Sequence, residues 1–491
     1  MKRDLIALAM VLGFAAGAAG AQQTAITIGM QLEPPNLDPT AAAAAAIDEV
    51  VYANVFEGLT RFAPDGTILP ALAESWEIAP DGLSWLFHLR TGVTFHDGTP
   101  FSAEDVVFSF DRAVAEGSTN AQQPLFEGII EVTAIDDVTV EIAVEQPKGS
   151  LLFNLAWGDA VIVSPASAGT NATDPVGTGP FRFANWVQGD RIELVRNPDY
   201  WGPAPALEAV TFKFISDPTA AFAAMMAGDI DAFPNFPAPE NLAQFEADPR
   251  FAVIVGSTEG ETILAMNNTR EPFDDIRVRQ AIAHAVDRRE IIDGAMFGYG
   301  TPIGSHFAPH HPAYVDLTAL TPFDPDKARA LLAEAGLPDG FATTLALPPP
   351  SYARRGGEII ASRLRDVGIE ADIVNVEWAQ WLEQVFTNKD FGLTVISHTE
   401  PLDIGIYARD DYYFGYDDPA MRALMHEFDA TADEADRTSL LKTAQERVAE
   451  NQVNVFLFQL AKTGVADARI RDLWANSPTQ ANDMTGVSWA E

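Results

Sequence analysis

The chain has 491 residues, and 70 Asp and Glu against 31 Lys and Arg give it a formal net charge of −39. This charge argues against a nucleic-acid partner, because phosphate binding needs a basic surface. The lack of cysteine excludes disulfides, Cys-ligated zinc, iron–sulfur clusters, thiol nucleophiles and a lipid anchor on an N-terminal cysteine. The 47% apolar content is typical of globular proteins, and the length predicts roughly two to four domains.

The N-terminus has the parts of a secretory signal peptide. Lys2 and Arg3 precede an apolar stretch from Leu5 to Ala21, and that stretch ends in small residues. The alternative, a membrane anchor, needs a longer span of roughly 20 residues. We therefore predict a cleavable signal peptide over residues 1–21 and a mature chain that is exported without a lipid anchor.

The next 120 residues predict a β-rich segment. A short strand is expected over 25–29 and a helix over the alanine-rich residues 41–50. Aromatic residues alternate on both sides of Asp81-Gly82, which predicts a hairpin with its turn there. Ser102 and Asp105 form a capping-box pattern before a helix, and strands are expected over 129–135 and 138–144.

From about residue 320 the pattern becomes an alternation of helices and strands. Asp324 and Pro325 mark the start of a helix that ends near Gly336. Alternation of this length predicts a parallel sheet with helices on its faces. The further elements expected are strands over 343–347, 369–376 and 391–397, and helices over 354–367 and 378–386.

The sequence contains none of the common catalytic signatures. It has no G-x-S-x-G elbow, no phosphate-binding P-loop, no H-E-x-x-H and no calcium-loop spacing. His310-His311 suggests a metal pair, but adjacent histidines rarely chelate one ion, so we favour a solvated loop. We predict neither a catalytic residue nor a cofactor.

One segment carries a specific resemblance. Residues 70–76 read PALAESW, 85–90 WLFHLR, 93–100 VTFHDGTP and 103–106 AEDV. This series resembles the signature of family 5 solute-binding proteins of peptide and nickel ABC importers. Further matches follow in the family's order, at residues 177–181 (GTGPF), 197–201 (NPDYW), 228–231 (GDID), 267–268 (NN) and 272–282 (PFDDIRVRQAI).

Several of these motif residues also have structural interpretations. We interpret His96-Asp97-Gly98 as a turn held by polar contacts rather than a catalytic pair. Arg277 and Arg279 are expected to form ion pairs at a helix start rather than to bind an anion.

The resemblance implies an α/β fold, a two-lobed periplasmic binding protein of class II type with a β-rich insertion subdomain in the first lobe. By analogy, the first lobe takes residues 22–47, 166–266 and 471–491, with the insertion at 48–165, and the second lobe takes 267–470. Ligand would bind between the lobes, which close around it and present a surface to permease subunits in the inner membrane. We expect a monomer.

The resemblance also implies ligand contacts. In peptide binders of this family an aspartate after a strand of the second lobe holds the ligand's amino terminus, and Asp403 falls at that position. Arg354 and Arg355 occupy the region of an arginine for the ligand carboxylate, which a guanidinium fork matches. The other candidate contacts predicted are Glu33, Trp378, His398, Glu400 and Tyr412.

The ligand loop departs from the family pattern. Ser397-His398 replaces its tryptophan, Ile404-Gly405 replaces a Pro-Asp pair, and an aromatic and acidic stretch follows at 407–416. That stretch is either a packed surface loop or a cleft lining suited to cationic or sugar-like ligands.

The function these features predict is a receptor that captures a short peptide or related amine-bearing solute for an ABC importer. Two cargo alternatives, a nickel or metal chelate and an oligosaccharide, stay open. A secreted hydrolase is a third, remote alternative.

Overall fold

The computed structural model describes residues 23–41, 44–399, 403–431 and 433–490, without the side chains of 378 and 379. The signal peptide predicted over residues 1–21 lies outside this range. The strands up to residue 266 are β1 (Ala25–Met30), β2 (Thr60–Phe62), β3 (Ile68–Pro70), β4 (Ala73–Ile78), β5 (Ser84–Leu89), β6 (Ile129–Asp136), β7 (Thr139–Val144), β8 (Phe181–Val187), β9 (Arg191–Arg196), β10 (Ala209–Phe214), β11 (Ala232–Phe233) and β12 (Phe251–Met266). The later strands are β13 (Thr301–Pro302), β14 (Phe341–Leu347), β15 (Ile369–Asn375), β16 (Leu393–His398), β17 (Asn454–Asp467), β18 (Ile470–Arg471) and β19 (Ser488–Trp489).

Helices cover both halves of the chain. They are α1 (Ala45–Val51), α2 (Ala103–Val114), α3 (Leu151–Asn154), α4 (Pro218–Ala227), α5 (Leu242–Glu246), α6 (Ile276–Ala285), α7 (Arg288–Met296), α8 (Pro325–Glu334), α9 (Ser351–Asp366), α10 (Trp378–Trp381), α11 (Pro419–Ala430) and α12 (Glu434–Glu450). Among the described residues, none of these helices is both long and apolar enough to span a bilayer.

One eleven-stranded sheet runs through the molecule in the order β15-β14-β16-β12-β17-β11-β1-β10-β9-β8, with β13 beside β17. β14 pairs in parallel with β15 and β16, and β1 pairs in parallel with β10 and β11. The long strands β12 and β17 pair antiparallel from Phe251 to Ala265 and therefore connect the two halves. The parallel strands predicted after residue 340 are confirmed.

Separate apolar cores lie on the two halves of this sheet. Around β1 and β10 the core includes Ile28, Phe212 and Phe181. Around β14 and β16 it includes Leu345 and Val395, together with the apolar faces of α6 and α9. Burial of the apolar side chains in these cores holds the helices on the sheet, because it removes apolar surface from water.

A four-stranded antiparallel sheet, β4-β5-β7-β6, forms a β-rich unit with its own core beneath α2. The predicted hairpin is confirmed, because β4 pairs with β5 around Asp81-Gly82 and Gly82 has a φ of +72°. The capping box is also confirmed, since the backbone N–H of Ser102 donates to Asp105 Oδ2 at 2.8 Å.

His96 locks the turn at residues 177–179 against the β-rich unit. Its Nδ1 accepts from the Gly177 N–H at 3.3 Å, and its Nε2 lies 3.0 Å from the Gly179 carbonyl. Asp97 instead accepts from the Thr99 backbone. The interpretation of this segment as a turn held by polar contacts is confirmed.

His96 should make stability depend on pH. Burial lowers the pKa of His96 to about 4, below its usual value. Between these two pKa values the unfolded chain therefore binds a proton that the native protein does not bind. Between pH 6.5 and 4 stability therefore falls as pH falls, by about 2 kcal/mol at pH 5. We expect His96→Gln to lose this part of the dependence in urea unfolding at pH 7 and pH 5. An unchanged pH dependence would contradict the assignment.

Candidate functional site

A cavity of about 270 Å³ opens where β12 and β17 connect the two halves of the molecule. Its volume lies near the lower end for small-molecule sites. In addition to β12 and β17, α1 and the segment around Trp157 form one side of the cavity, and Thr399 forms part of the other side. The described residues that line it are Ala45, Asp48, Gln122, Trp157, Asp159, Asn235, Thr258, Glu259, Gly260, Thr399, Leu460 and 477–480.

Asp48, Trp157 and Asp159, which we call the acidic wall, share one side of this cavity. Asp159 is 6% exposed. The Oδ1 atoms of Asp48 and Asp159 and the Nε1 atom of Trp157 are buried and have no hydrogen-bond partner in the described part of the chain. Buried polar atoms without partners are rare in native proteins, so this wall needs an explanation.

Burial changes the titration of both acids, and charge repulsion adds to its effect at Asp48. Burial raises the pKa of Asp48 well above its usual value, and the charges of Asp159 and Glu49 raise it further. Burial also raises the pKa of Asp159, to about 7. At neutral pH the pair therefore holds a proton more readily than isolated carboxyl groups would.

Gly158 brings the two acids together. A Cβ at this position would lie 2.2 Å from Asp48 Oδ1, so only glycine allows the Asp48 carboxyl group to sit against the chain between Trp157 and Asp159. Trp157 packs edge-on against Phe153, which orients its indole ring.

Across the cavity, Glu259 of β12 is paired with a histidine. His310 Nε2 lies 2.5 Å from Glu259 Oε1, and the two side chains are 6% and 7% exposed. The prediction of a solvated loop is wrong for His310, because this pair holds it against β12. His311 stacks on Phe307 at 4.2 Å, and burial lowers the pKa of His311 to about 3, so it is neutral.

Asp403 lies in a buried cluster with Glu261, His306 and His398, which we call the histidine–carboxylate cluster. His306 Nε2 lies 2.6 Å from Asp403 Oδ1, and His306 Nδ1 lies 3.2 Å from Glu261 Oε1. His398 Nδ1 lies 3.3 Å from Asp403 Oδ2. Burial alone would raise the pKa of Asp403, but the charges and hydrogen bonds of His306 and His398 outweigh it and hold that pKa well below its usual range.

Part of this cluster has the composition of a metal site. Glu261, His398 and Asp403 each offer a ligand atom, and these atoms lie within 4.8 Å of one another. Imidazole with carboxylate suits zinc, nickel, copper or iron. The three residues could therefore hold a transition-metal ion with an open coordination position.

His398 and Tyr412 belong to an aromatic group behind the cluster. The His398 ring stacks on Tyr413 with an interplanar angle of 8°, and Tyr412 packs against Tyr413 and Phe414. Tyr412 is 9% exposed and is not among the described residues that line the cavity. In this structure the 407–416 stretch packs mainly on itself.

The other predicted contacts are engaged elsewhere. Arg354 Nη2 lies 3.1 Å from Glu377 Oε1, and the Arg355 guanidinium lies 5.3 Å from the Phe297 ring centroid. Glu33 accepts from Trp186 Nε1 and the Gly189 N–H, both at 2.9 Å. None of these is among the described cavity-lining residues, and their ligand roles stay predictions.

Glu400 and the side chain of Trp378 lie outside the described residues. Sequence reasoning missed Asp48, Asp159, Glu259 and His306, since no local motif marks them. The one available signal was Gly158, placed between an aromatic and an acidic residue.

Comparison with known proteins identifies the family of the chain. The model of the "Bacterial extracellular solute-binding proteins, family 5 Middle" matches residues 67–401. The chain is 33% identical to heme-binding protein A of Haemophilus influenzae over 67% of its own length and 65% of that relative's, so this match spans less than two thirds of that relative. It is 30% identical to the dipeptide-binding protein of Escherichia coli, over 78% of this chain and 77% of that protein.

Solved structures agree. HbpA2 from Haemophilus parasuis superposes with a TM-score of 0.85 at 25% identity, covering 95% of this chain and 100% of the other. DppA from Helicobacter pylori in complex with the peptide STSA gives a TM-score of 0.77 at 25% identity over 96% and 99%. The α/β fold is thus that of a two-lobed periplasmic binding protein. The chain belongs to the family 5 bacterial extracellular solute-binding proteins.

Proposed function

We propose that this protein is an extracytoplasmic receptor that captures a short peptide or related amine-bearing solute between its lobes and delivers it to an ABC importer. The observation that carries the proposal is the cavity between the two halves of a family 5 fold, lined by Asp48, Asp159 and Glu259. Relatives are named for binding dipeptide, glutathione and heme, and the first two are peptides.

The cellular setting follows from the same family. We infer export to the periplasm through the signal peptide predicted over residues 1–21. The protein would act as a monomer with permease subunits of the inner membrane and would have no catalytic activity. The predicted lobes, 22–47 with 166–266 and 471–491, and 267–470, would close on β12 and β17, the strands that connect them.

Ligand-dependent stabilisation tests the receptor function. A solute that binds only the native state raises the melting temperature, and at 100 times Kd it adds about 2.7 kcal/mol to the free energy of unfolding. We expect di- and tripeptides or small amines to raise it by several degrees in a thermal-shift panel. The panel should include oligosaccharides and metal chelates. If no compound shifts the transition, the receptor proposal fails.

The prediction that Asp403 holds the ligand's amine needs its own test. An amine would have to displace His306 or His398, which already contact this carboxylate. If the prediction holds, Asp403→Asn weakens an amine-bearing solute more than tenfold in calorimetric titration. Unchanged affinity would remove Asp403 from the site.

A metal-containing solute is the second candidate, and the Glu261, His398 and Asp403 donor set favours it. We would purify the protein in chelator, add Ni²⁺ or Zn²⁺ and measure retained metal. His398→Ala should abolish retention, whereas stoichiometric retention by that variant would exclude this donor set.

A further inference from the structure

We propose that the acidic wall is the site that binds the cationic group of the solute, an ammonium or guanidinium, next to a hydrogen-bond acceptor of the same molecule. This inference rests on the proposed receptor function and names the chemistry of its cargo. It places the solute's positive charge on Asp48 and Asp159 rather than on Asp403.

The first argument is unmet hydrogen bonding. Asp159 is 94% buried by its 6% exposure and lines the cavity, yet its Oδ1 and that of Asp48 have no partner among the described residues. Burying a carboxylate is costly unless a cation or several donors satisfy it. An ammonium or guanidinium group would supply both through charge-assisted hydrogen bonds.

The second argument is the charge of the surroundings. The described residues that line the cavity include three acids and no Lys or Arg. Glu259 has a partner in His310, so the uncompensated acidity lies on the wall. The ionisable groups facing or neighbouring this wall are Glu49, Tyr52, Glu259, His310 and Lys462. Burial raises the pKa of Glu49, and the charge of Lys462 opposes that rise. The Lys462 Nζ also donates to the Trp474 carbonyl.

The third argument is the tryptophan. The Trp157 Nε1–H can only donate, and it has no acceptor in the described structure. A solute with an oxygen beside its cation, such as the carbonyl that follows a peptide's α-ammonium group, would satisfy the indole and the two acids together.

Asp403 offers the opposite situation. Two imidazoles already contact its carboxylate, and Asp403 is not among the described cavity-lining residues. A solute cation gains more where a buried acid lacks a partner than where it must displace one.

The test uses probes that differ by one charge. Tri-alanine and its N-acetylated form differ in the α-ammonium group, and Ala-Lys-Ala and Ala-norleucine-Ala differ in a side-chain ammonium group. Their Kd values would be measured by calorimetry on the wild type, Asp159→Asn, Asp48→Asn and Asp403→Asn. Asp111→Asn, on the exposed face of α2, is the matched control.

We expect at least one probe that carries the additional ammonium group to bind at least tenfold tighter than its partner without that group. Asp159→Asn and Asp48→Asn should remove at least tenfold of that affinity, and Asp403→Asn and Asp111→Asn less than threefold. Affinity should rise from pH 6 to pH 7, because a cation binds the carboxylate form, the pKa of Asp159 is about 7 in the ligand-free protein, and the ammonium groups of the probes stay protonated over this range.

Ligand-free Asp159→Asn should melt at a higher temperature than the wild type at pH 8, because the change removes an unpaired buried charge; this shows that its loss of affinity is not unfolding. Equal binding of the probes with and without the additional ammonium group, or a loss confined to Asp403→Asn, would overturn the inference and leave the receptor function standing. If no probe binds any variant, the inference is rejected, and the broader thermal-shift panel decides the receptor function.

Discussion

Replacing His306 with alanine is expected to lower the free energy of unfolding by about 3–5 kcal/mol, the range seen when one partner of a buried ion pair is removed. His306 is 1% exposed and lies between Glu261 and Asp403. The ring separates the two carboxylates, with Nε2 2.6 Å from Asp403 Oδ1 and Nδ1 3.2 Å from Glu261 Oε1. Without the ring, two buried acids would face each other across a cavity.

Urea unfolding of the wild type and His306→Ala at pH 7 would measure the loss. His426→Ala, at an exposed position of α11, is the matched control and should change stability by less than about 0.5 kcal/mol. Adding Asp403→Asn to His306→Ala should restore part of the loss, because it removes one unpaired charge. A double variant less stable than His306→Ala would contradict this account.

The contacts of Asp403 with His306 and His398 also predict that stability depends on pH. His306 and His398 hold the pKa of Asp403 below its unfolded value despite burial, so the unfolded chain binds the proton more strongly. The contribution of Asp403 is therefore present above about pH 4 and is lost as pH falls below that value. The stability difference between the wild type and His306→Ala should shrink over the same range.

Replacing Arg279 with alanine should cost about 3 kcal/mol or more, because hydrogen bonds from charged groups each contribute about 1.5–3 kcal/mol. Its guanidinium group donates to the carbonyls of Phe273 and Asp274 before α6 and to those of Asn451 and Gln452 after α12, at 2.8–3.2 Å. Burial lowers the pKa of Arg279. The expectation of an ion pair at this position is not met among these contacts, since the partners are carbonyl groups.

Arg277 provides the matched control on the same helix. It forms the expected ion pair, with Nη2 2.5 Å from Asp275 Oδ2, and its Nη1 donates to the exposed Glu334 carbonyl at 2.6 Å, but its side chain is 46% exposed. Such pairs contribute little, so Arg277→Ala should cost less than about 1 kcal/mol. Arg279→Lys should recover only part of the loss, because one ammonium group cannot reach four carbonyls. Equal losses for Arg277→Ala and Arg279→Ala in urea unfolding would show that the four more buried carbonyl contacts of Arg279 do not carry the effect.

Features encoded by neighbouring residues were predictable. The hairpin around Asp81-Gly82, the capping box at Ser102 and the helix start at Asp324 need only local backbone chemistry, and each is confirmed. The family resemblance at residues 70–106 is of the same kind, since it lies in one contiguous stretch. The helix predicted from Ala41 begins at Ala45 within the described residues, because alanine propensity does not mark a helix boundary.

The sequence by itself determined the α/β class, the family and the export signal that we propose, because each depends on patterns of residues that are close together in the sequence. Only the tertiary structure decided which distant side chains meet. Asp48 and Asp159 come from separate segments, and Gly158 lets them approach. His306 reaches Asp403 from 97 residues away. Periodicity reports which face of an element is buried, not what it is buried against, so the partners of these buried charges had to come from the fold.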